Sequence, residues 1–242
     1  MRILSWNVAG LPAKINVIGN PVSRFPQMLE AITSLQPEII CLQEVFCFKL
    51  LKKFTENLSD KGFHLHYSKS DSLISKNGLL TATKFPIKFT TEIDYSMYTG
   101  AEYLIKKGML TTHLKSDVGN ILVHNTHLQS NSIYTMQTRC TEVRQQQKKE
   151  VVSEVKKNIY DLNLICGDLN DDFNTFEHQT FLKKLPFSHY TTNPDKIITF
   201  PKHKKQLDYI ILNQELDITY QKIEVVNQKI SDHEILIADF TT

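Results

Sequence analysis

Glycine and proline are scarce in this sequence, with eight of each in 242 residues, and no segment repeats. No linker or low-complexity stretch can be built from so little, and the length fits one large domain or two small ones. The missing linker favours one domain over residues 1–242. Charge of either sign is not in excess: 28 basic against 26 acidic residues leave a net charge of +2. That balance neither demands nor excludes a nucleic-acid partner. No run approaches the ~20 apolar residues that would cross a bilayer. The chain starts at once on a strand-like segment, so no leader is expected. Cysteine is sparse too, and Cys41, Cys47, Cys140 and Cys166 show no metal-ligand spacing. Cys41 and Cys166 lie inside apolar runs, where a reduced thiol behaves as a small hydrophobe, so no disulfide framework is expected. The expectation is a soluble monomer, cytoplasmic by preference, or secreted if a leader has been removed.

What is present is a change of period along the chain. A strand over 2–7 ends in Trp6-Asn7, and Ser23 is the expected cap of a helix with Phe25, Met28, Ile32 and Leu35 on one face, stopped by Pro37. The run 38–42 reads as a buried strand delivering Gln43-Glu44, and Leu50, Leu51, Phe54 and Leu58 then follow helical spacing. From Gly62 to Leu128 the period is two, with strands over 63–67, 79–84, 87–95, 103–115 and 119–127 in an expected antiparallel meander. A long helix over 137–158, a strand over 162–166 and a short helix over 175–185 come next. An irregular segment over 186–206 precedes strands over 207–212, 217–226 and 235–240. Strand clusters separated by helices, twice over, point to two sheets packed face to face with helices outside.

Polar residues gather where these strands end. In Leu164-Ile165-Cys166-Gly167-Asp168-Leu169-Asn170, a buried run stops at a glycine, and Asp168 and Asn170 emerge on the same side. Alone, this is ordinary turn chemistry. Five further ends behave likewise: Asn7, Glu44, His124 with His127, Asp208, and Ser231-Asp232-His233. Capping does not explain six ends that carry mainly Asn, Asp, Glu and His. Such a set suits phosphoryl transfer with a hard divalent cation, for which Glu44 assisted by Asn7 is the best oxygen donor. Histidines suit proton transfer near neutrality, and without His-x-x-x-His or a cysteine pair zinc is disfavoured. His124 faces away from His127 and is expected to be structural; His64 and His66 are expected on the surface, and Asp171 and Asp172 as caps or solvated groups sooner than as support behind the site residues. The run Lys202-His203-Lys204-Lys205 offers Lys202 and Lys204 to a substrate phosphate, although such runs are usually just solvated.

Six segments, in order, resemble the endonuclease/exonuclease/phosphatase superfamily: Trp6-Asn7, Leu42-Gln43-Glu44-Val45, Asn125-Thr126-His127-Leu128, Gly167-Asp168-Leu169-Asn170, Leu207-Asp208-Tyr209 and Ser231-Asp232-His233. The resemblance covers nearly the whole chain. It implies one catalytic domain, a four-layer α/β/β/α sandwich of two mostly antiparallel sheets with helices outside, and hydrolysis of phosphate esters with Mg²⁺, or Mn²⁺ in its place. Carried over by residue, Glu44 would bind the metal with Asn7 in support, and Asp232 would assist a metal or hold its loop. His233 would be the base that activates water for in-line attack, with Asp208 fixing its tautomer. Asp168 and Asn170 would orient water and phosphate, and His127 would stabilise phosphoryl charge.

Within the superfamily, Thr126-His127-Leu128-Gln129-Ser130 and Lys106-Lys107-Gly108-Met109-Leu110 resemble the neutral sphingomyelinase branch. That branch implies sphingomyelin or a related phospholipid as substrate, met at a membrane surface. Phe46, Phe48, Ile133, Tyr134, Phe173 and Phe176, which follow site motifs, would be available to an interface. The alternative is a DNA-processing phosphodiesterase. Gln43-Glu44-Val45 and Asn125-Thr126-His127 depart from the abasic-site endonuclease pattern, whereas tyrosyl-DNA phosphodiesterases share the Leu-Gln-Glu-Val and His-Leu features. A non-catalytic binding module would be marked by loss of Glu44, Asp168 or His233, and all three are present.

Overall fold

Strands that are apolar on both faces need cover on both sides, and β1 (Arg2–Asn7), β2 (Ile39–Gln43) and β8 (Leu162–Asp168) are buried along almost their whole length. The computed structural model describes residues 1–13, 16, 18–68, 76–103, 105–117, 119–131, 135–158, 160–187, 190–191, 196–213 and 219–241. The other strands are β3 (His64–Tyr67), β4 (Leu80–Thr83), β5 (Ile87–Asp94), β6 (Gly108–Ser116), β7 (Gly119–His127), β9 (Tyr190–Thr191), β10 (Asp208–Asn213), β11 (Thr219–Val226) and β12 (Ile235–Thr241). The helices are α1 (Pro21–Ser34), α2 (Phe48–Asp60), α3 (Gln137–Lys157) and α4 (Phe176–Leu182).

Two six-stranded sheets result, in the orders β11-β12-β1-β2-β4-β3 and β5-β6-β7-β8-β10-β9. Each holds one parallel pair, β1 with β2 and β7 with β8, spanned by the crossover helices α1 and α3. All other pairings among the described residues are antiparallel. The succession β1-α1-β2-α2-β3-β4 is thus repeated by β7-α3-β8-α4-β9-β10, with the same strand order in each sheet.

Alternation within strands separates three layers of core. Ile3, Ile39, Cys41, Val123, Leu164 and Ile210 point between the sheets. Their neighbours Leu4, Ile40 and Leu42 meet Phe25, Met28, Ile32 and Phe54 of α1 and α2, while Ile165 and Ile211 meet Val151, Val155 and Phe181 of α3 and α4. This is the expected α/β/β/α sandwich. Asn125 pins the sheets near one end, donating to Leu42 O (3.2 Å) and Leu80 O (3.0 Å) and accepting from Gln43 Nε2 (2.9 Å). All four cysteines are free. No helix among the described residues is long and apolar enough to cross a membrane.

Four local expectations are corrected. Asn20, not Ser23, caps α1, accepting from Val22 N at 3.0 Å; Ser23 Oγ donates to Asn20 O. The strands over 63–127 do not form one meander, because β3 and β4 join the first sheet and β5 to β7 the second. The expected strand over 103–115 starts only at Gly108, after a 3₁₀ turn at Gly100–Tyr103. His64 is exposed as expected, but His66 is half-buried, its Nδ1 2.8 Å from Thr112 Oγ1 on the other sheet, and burial lowers its pKa to about 4.

Gly167 sits in β8 at φ +142°, and a Cβ there would lie 1.9 Å from Thr126 O of the paired strand. No L side chain fits without prising β7 from β8. Gly167→Ala is therefore expected to destabilise the protein by about 1–3 kcal/mol, read from the shift in urea midpoint. An unchanged midpoint would show that the β7–β8 contact is not tight.

Candidate active site

The two parallel pairs end at one edge of the sandwich. Asn7 closes β1 beside Gln43 of β2, and Glu44 follows directly. In the second sheet, His127 of β7 pairs in register with Asp168 of β8, and Asp168 with Asp208 of β10. Cross-strand neighbours share a face, so the register alone sets His127, Asp168 and Asp208 in a row. Glu44 (φ +59°) and Asn170 (φ +53°) adopt left-handed backbone just beyond β2 and β8. That conformation costs a non-glycine residue about 1 kcal/mol or more, and both chains turn here out of their strands into the same cleft.

At this edge a further amide links the sheets. Asn7 Nδ2 donates to Glu44 Oε1 (3.1 Å) and to Asp168 Oδ2 (3.0 Å), while its Oδ1 accepts from Ala9 N (3.0 Å). His233 Nδ1 lies 2.8 Å from Asp208 Oδ2, and its Nε2 lies 3.7 Å from Asp168 Oδ2. The loop carrying His233 is tied to β1: Trp6 Nε1 donates to His233 O (3.0 Å) and Ser231 Oγ to Asn7 O (2.7 Å). Asn170 N donates to Asp168 Oδ1, and Asn170 Nδ2 to Leu128 O, both at 2.9 Å. His127 Nε2 stands 3.4 Å from Asp168 Oδ2 and 3.9 Å from Glu44 Oε1.

These contacts separate the ionisations. Burial presses the Asp168 carboxyl upward, but His233, His127 and Lys107 outweigh it and hold the group below the usual carboxylate range. Asp208 moves the other way, raised mainly by burial and by the charge of Asp168 against the pull of His233. Burial opposes a charge on His233, yet Asp208 and Asp168 push its pKa up to about 10. His124 is buried against Thr111, its pKa lowered to about 4 by burial, and stays outside this network.

Sequence reasoning missed several buried charges, among them Lys107 and Asp171. Lys107 Nζ lies 2.9 Å from His127 Nε2, donates to Leu128 O (2.7 Å) and pairs with Glu102 Oε1 (2.9 Å). Its only signal was the Lys-Lys-Gly segment, read as a mark of the branch. Asp171 is neither a cap nor solvated: it is buried against Lys148, with His178 Nδ1 at 3.4 Å. Asp172 is half-buried, accepting from Gln206 N and pairing with Lys196. Lys202 and Lys204 also depart from expectation. Both are exposed and outside the cleft, because a 3₁₀ turn at Pro201–His203 followed by left-handed Lys204 directs His203 and Lys205 to its wall instead.

The cleft has a volume of about 630 Å³, and Glu44, His127, Asp168, Asn170, Asp232 and His233 line it. Arg144 lines it too and forks onto Glu177 (2.7 and 3.0 Å), which Lys148 also reaches (3.1 Å). Of the aromatics that follow the motifs, Phe46 is buried and Phe173 half-buried, whereas Phe48 (42%) and Phe176 (86%) are exposed. Ile133 and Tyr134 lie outside the described residues.

The donor set fits a hard divalent cation. Glu44 keeps 23% of its side chain open to the cleft, beside the ionised Asp168, and oxygen donors with room for water are what Mg²⁺ takes. Among the described residues, Asp168, Asp208 and His233 also bring ligand atoms within 4.8 Å of one another. There, however, Asp208 already engages His233 Nδ1 and is itself fully buried. Glu44 is thus the more open oxygen donor of the two sets.

A profile of the endonuclease/exonuclease/phosphatase family matches residues 4–233. No curated protein matches the chain. Among solved structures, beta toxin from Staphylococcus aureus superposes with a TM-score of 0.84 at 20% identity, over 99% of each chain. Another structure of that toxin, at 21% identity and TM-score 0.77 over 98% of each chain, has bound magnesium ions. Sphingomyelinase C from Streptomyces griseocarneus gives 0.75 at 15% identity over 98% of each chain. D. rerio TDP2 complexed with single strand DNA product gives 0.76 at 15% identity, over 100% of this chain and 99% of the other. These likenesses establish the sandwich. With the profile spanning almost the whole chain, the protein belongs to the endonuclease/exonuclease/phosphatase family of hydrolases that act on phosphodiesters.

Proposed function

We propose that residues 1–242 form one catalytic domain, a monomeric Mg²⁺-dependent phosphodiesterase that hydrolyses sphingomyelin or a related phospholipid by in-line attack of water. The observation that carries the reading is the Asp208–His233 hydrogen bond facing Asp168, with Glu44 bridged to the same carboxylate by Asn7. In this reading His233 Nε2 takes the proton from the attacking water while Asp208 holds Nδ1–H and balances the imidazolium. Asn7 keeps Glu44 aimed into the cleft, Asp168 and Asn170 orient water and phosphate, and His127 with Lys107 behind it offsets negative charge at phosphorus. Asp232 adds negative charge at the site and steadies the loop. A divalent cation at Glu44, Mg²⁺ or Mn²⁺, would supply Lewis-acid neutralisation of a phosphoryl oxygen.

The lipid reading draws on the fold shared with beta toxin and sphingomyelinase C. It draws also on the charge of the cleft. Six carboxylates line it, those of Glu44, Asp168, Asp171, Asp172, Glu177 and Asp232, against one arginine, Arg144, which Glu177 engages, and one lysine, Lys205. A nucleic-acid channel needs cations left over for phosphates. The likeness to TDP2 keeps a DNA phosphodiester as the alternative.

Glu44→Gln is expected to lower turnover by about 100-fold or more, partly recovered at high Mg²⁺, and EDTA to abolish the activity of the parent. Turnover that survives EDTA refutes the metal role. His233→Ala is expected to fold normally and lose ~10²–10⁴-fold in rate. A base with a raised pKa is protonated and idle at low pH, so the rate rises with pH. Asp208 raises that pKa, so Asp208→Asn is expected to slow the reaction and move the rising limb toward acid. Near-parental rates in both variants reassign the base. Phosphocholine release from sphingomyelin vesicles, assayed beside abasic and 5′-tyrosyl DNA, decides the substrate; cleavage of DNA alone overturns the lipid reading.

A further inference from the structure

Phe176 opens α4 with 86% of its surface in water, unusual for a side chain of that size. It borders a hollow of about 180 Å³ between α3 and α4, floored by Val152 and Phe181. Lys149 and Lys184 stand at the rim, and Lys183 is exposed beside them. Among the described residues, none of these three lysines pairs with a carboxylate. Acids on and beside these helices are engaged elsewhere: Glu177 by Arg144 and Lys148, Asp171 by Lys148, Glu142 by Arg139, Glu150 by Ser96 and Glu154 by Lys157. The face therefore presents one bare aromatic ring within a set of free cations.

This face is continuous with the cleft. Thr175 and Glu177, on either side of Phe176, line it, as does Gln137 on the other rim, next to Met136 with 73% exposure. We propose that the α3–α4 face docks on an anionic bilayer surface, with Phe176 seated in the acyl boundary and Lys149, Lys183 and Lys184 on lipid phosphates. The inference rests on the phospholipid reading for its purpose, though not for its test. Apolar side chains below and lysines around them are the composition that lies in a membrane interface. A protein partner is the poorer fit, since stable protein interfaces cover ~800 Å² per side and this hollow admits little beyond one ring.

The test is co-sedimentation with phosphatidylcholine vesicles, with and without one-third phosphatidylserine. The parent is compared with Phe176→Ala and with the double variant Lys183→Glu, Lys184→Glu. Both changes are on exposed side chains, and thermal melts check the fold. Phe176→Ala is expected to weaken vesicle binding by about tenfold. The double variant is expected to lose at least as much on anionic vesicles, in a manner that salt mimics. Hydrolysis of a water-soluble phosphodiester such as bis(p-nitrophenyl) phosphate should be unchanged in both. Unaltered binding in both variants, or no binding by the parent, overturns the proposal. Concentration-dependent dimers that Phe176→Ala dissolves assign the face to a second copy and overturn it equally. If the parent binds vesicles through these residues yet cleaves only DNA, the docking face stands and the phospholipid reading falls.

Discussion

The amide of Asn7 is the joint on which the candidate site depends. Its nitrogen bonds carboxylates from both sheets, Glu44 and Asp168, and its oxygen is committed to Ala9 N, so the amide cannot turn away. Both carboxylates lie at the mouth of a low-dielectric core, where an unpaired charge is costly. Without this shared donor, and with His127 and His233 further off, they would repel each other across the seam. The rest of the machinery attaches to the same strand, since Trp6 and the Asn7 carbonyl hold the loop bearing His233.

The repeated topology explains why the seam is where chemistry collects. Ligand sites in open sheets lie beyond the carboxyl ends of parallel strands. Each sheet here has a single parallel pair, and both pairs end together. The two halves meet with matching ends: Asn7 and His127 close the first strands, while Glu44 and Asn170 mark left-handed exits from the second. No repeat is visible in the sequence, so the correspondence is one of backbone order and not of side chains.

Strand-end residues were legible because a polar group at the end of a buried apolar run stands out against period-two patterning. Sheet membership was not: β3–β4 and β5–β7 share that pattern, and the sheet each joins depends on the turn at Phe85-Pro86. Nor could buried cations be read. Lys107, Arg144 and Lys148 look like solvated residues in sequence, and only the carboxylates brought to them from elsewhere make burial tolerable. The run over 202–205 shows the same limit at finer scale, since one left-handed residue decided which of its cations met the cleft.

The pairing of β1 with β12 carries a consequence for folding. Its ladder joins Arg2 to Asp239, and Phe240 N donates to Met1 O at 2.8 Å. The strand that presents Asn7 therefore acquires its second neighbour only once Ile235–Thr241 is available to pair, and His233 arrives just before it. Contacts of such sequence separation form late and slowly. The seam at Asn7 thus cannot be completed by the leading strands alone and waits for the far partner of β1, β12.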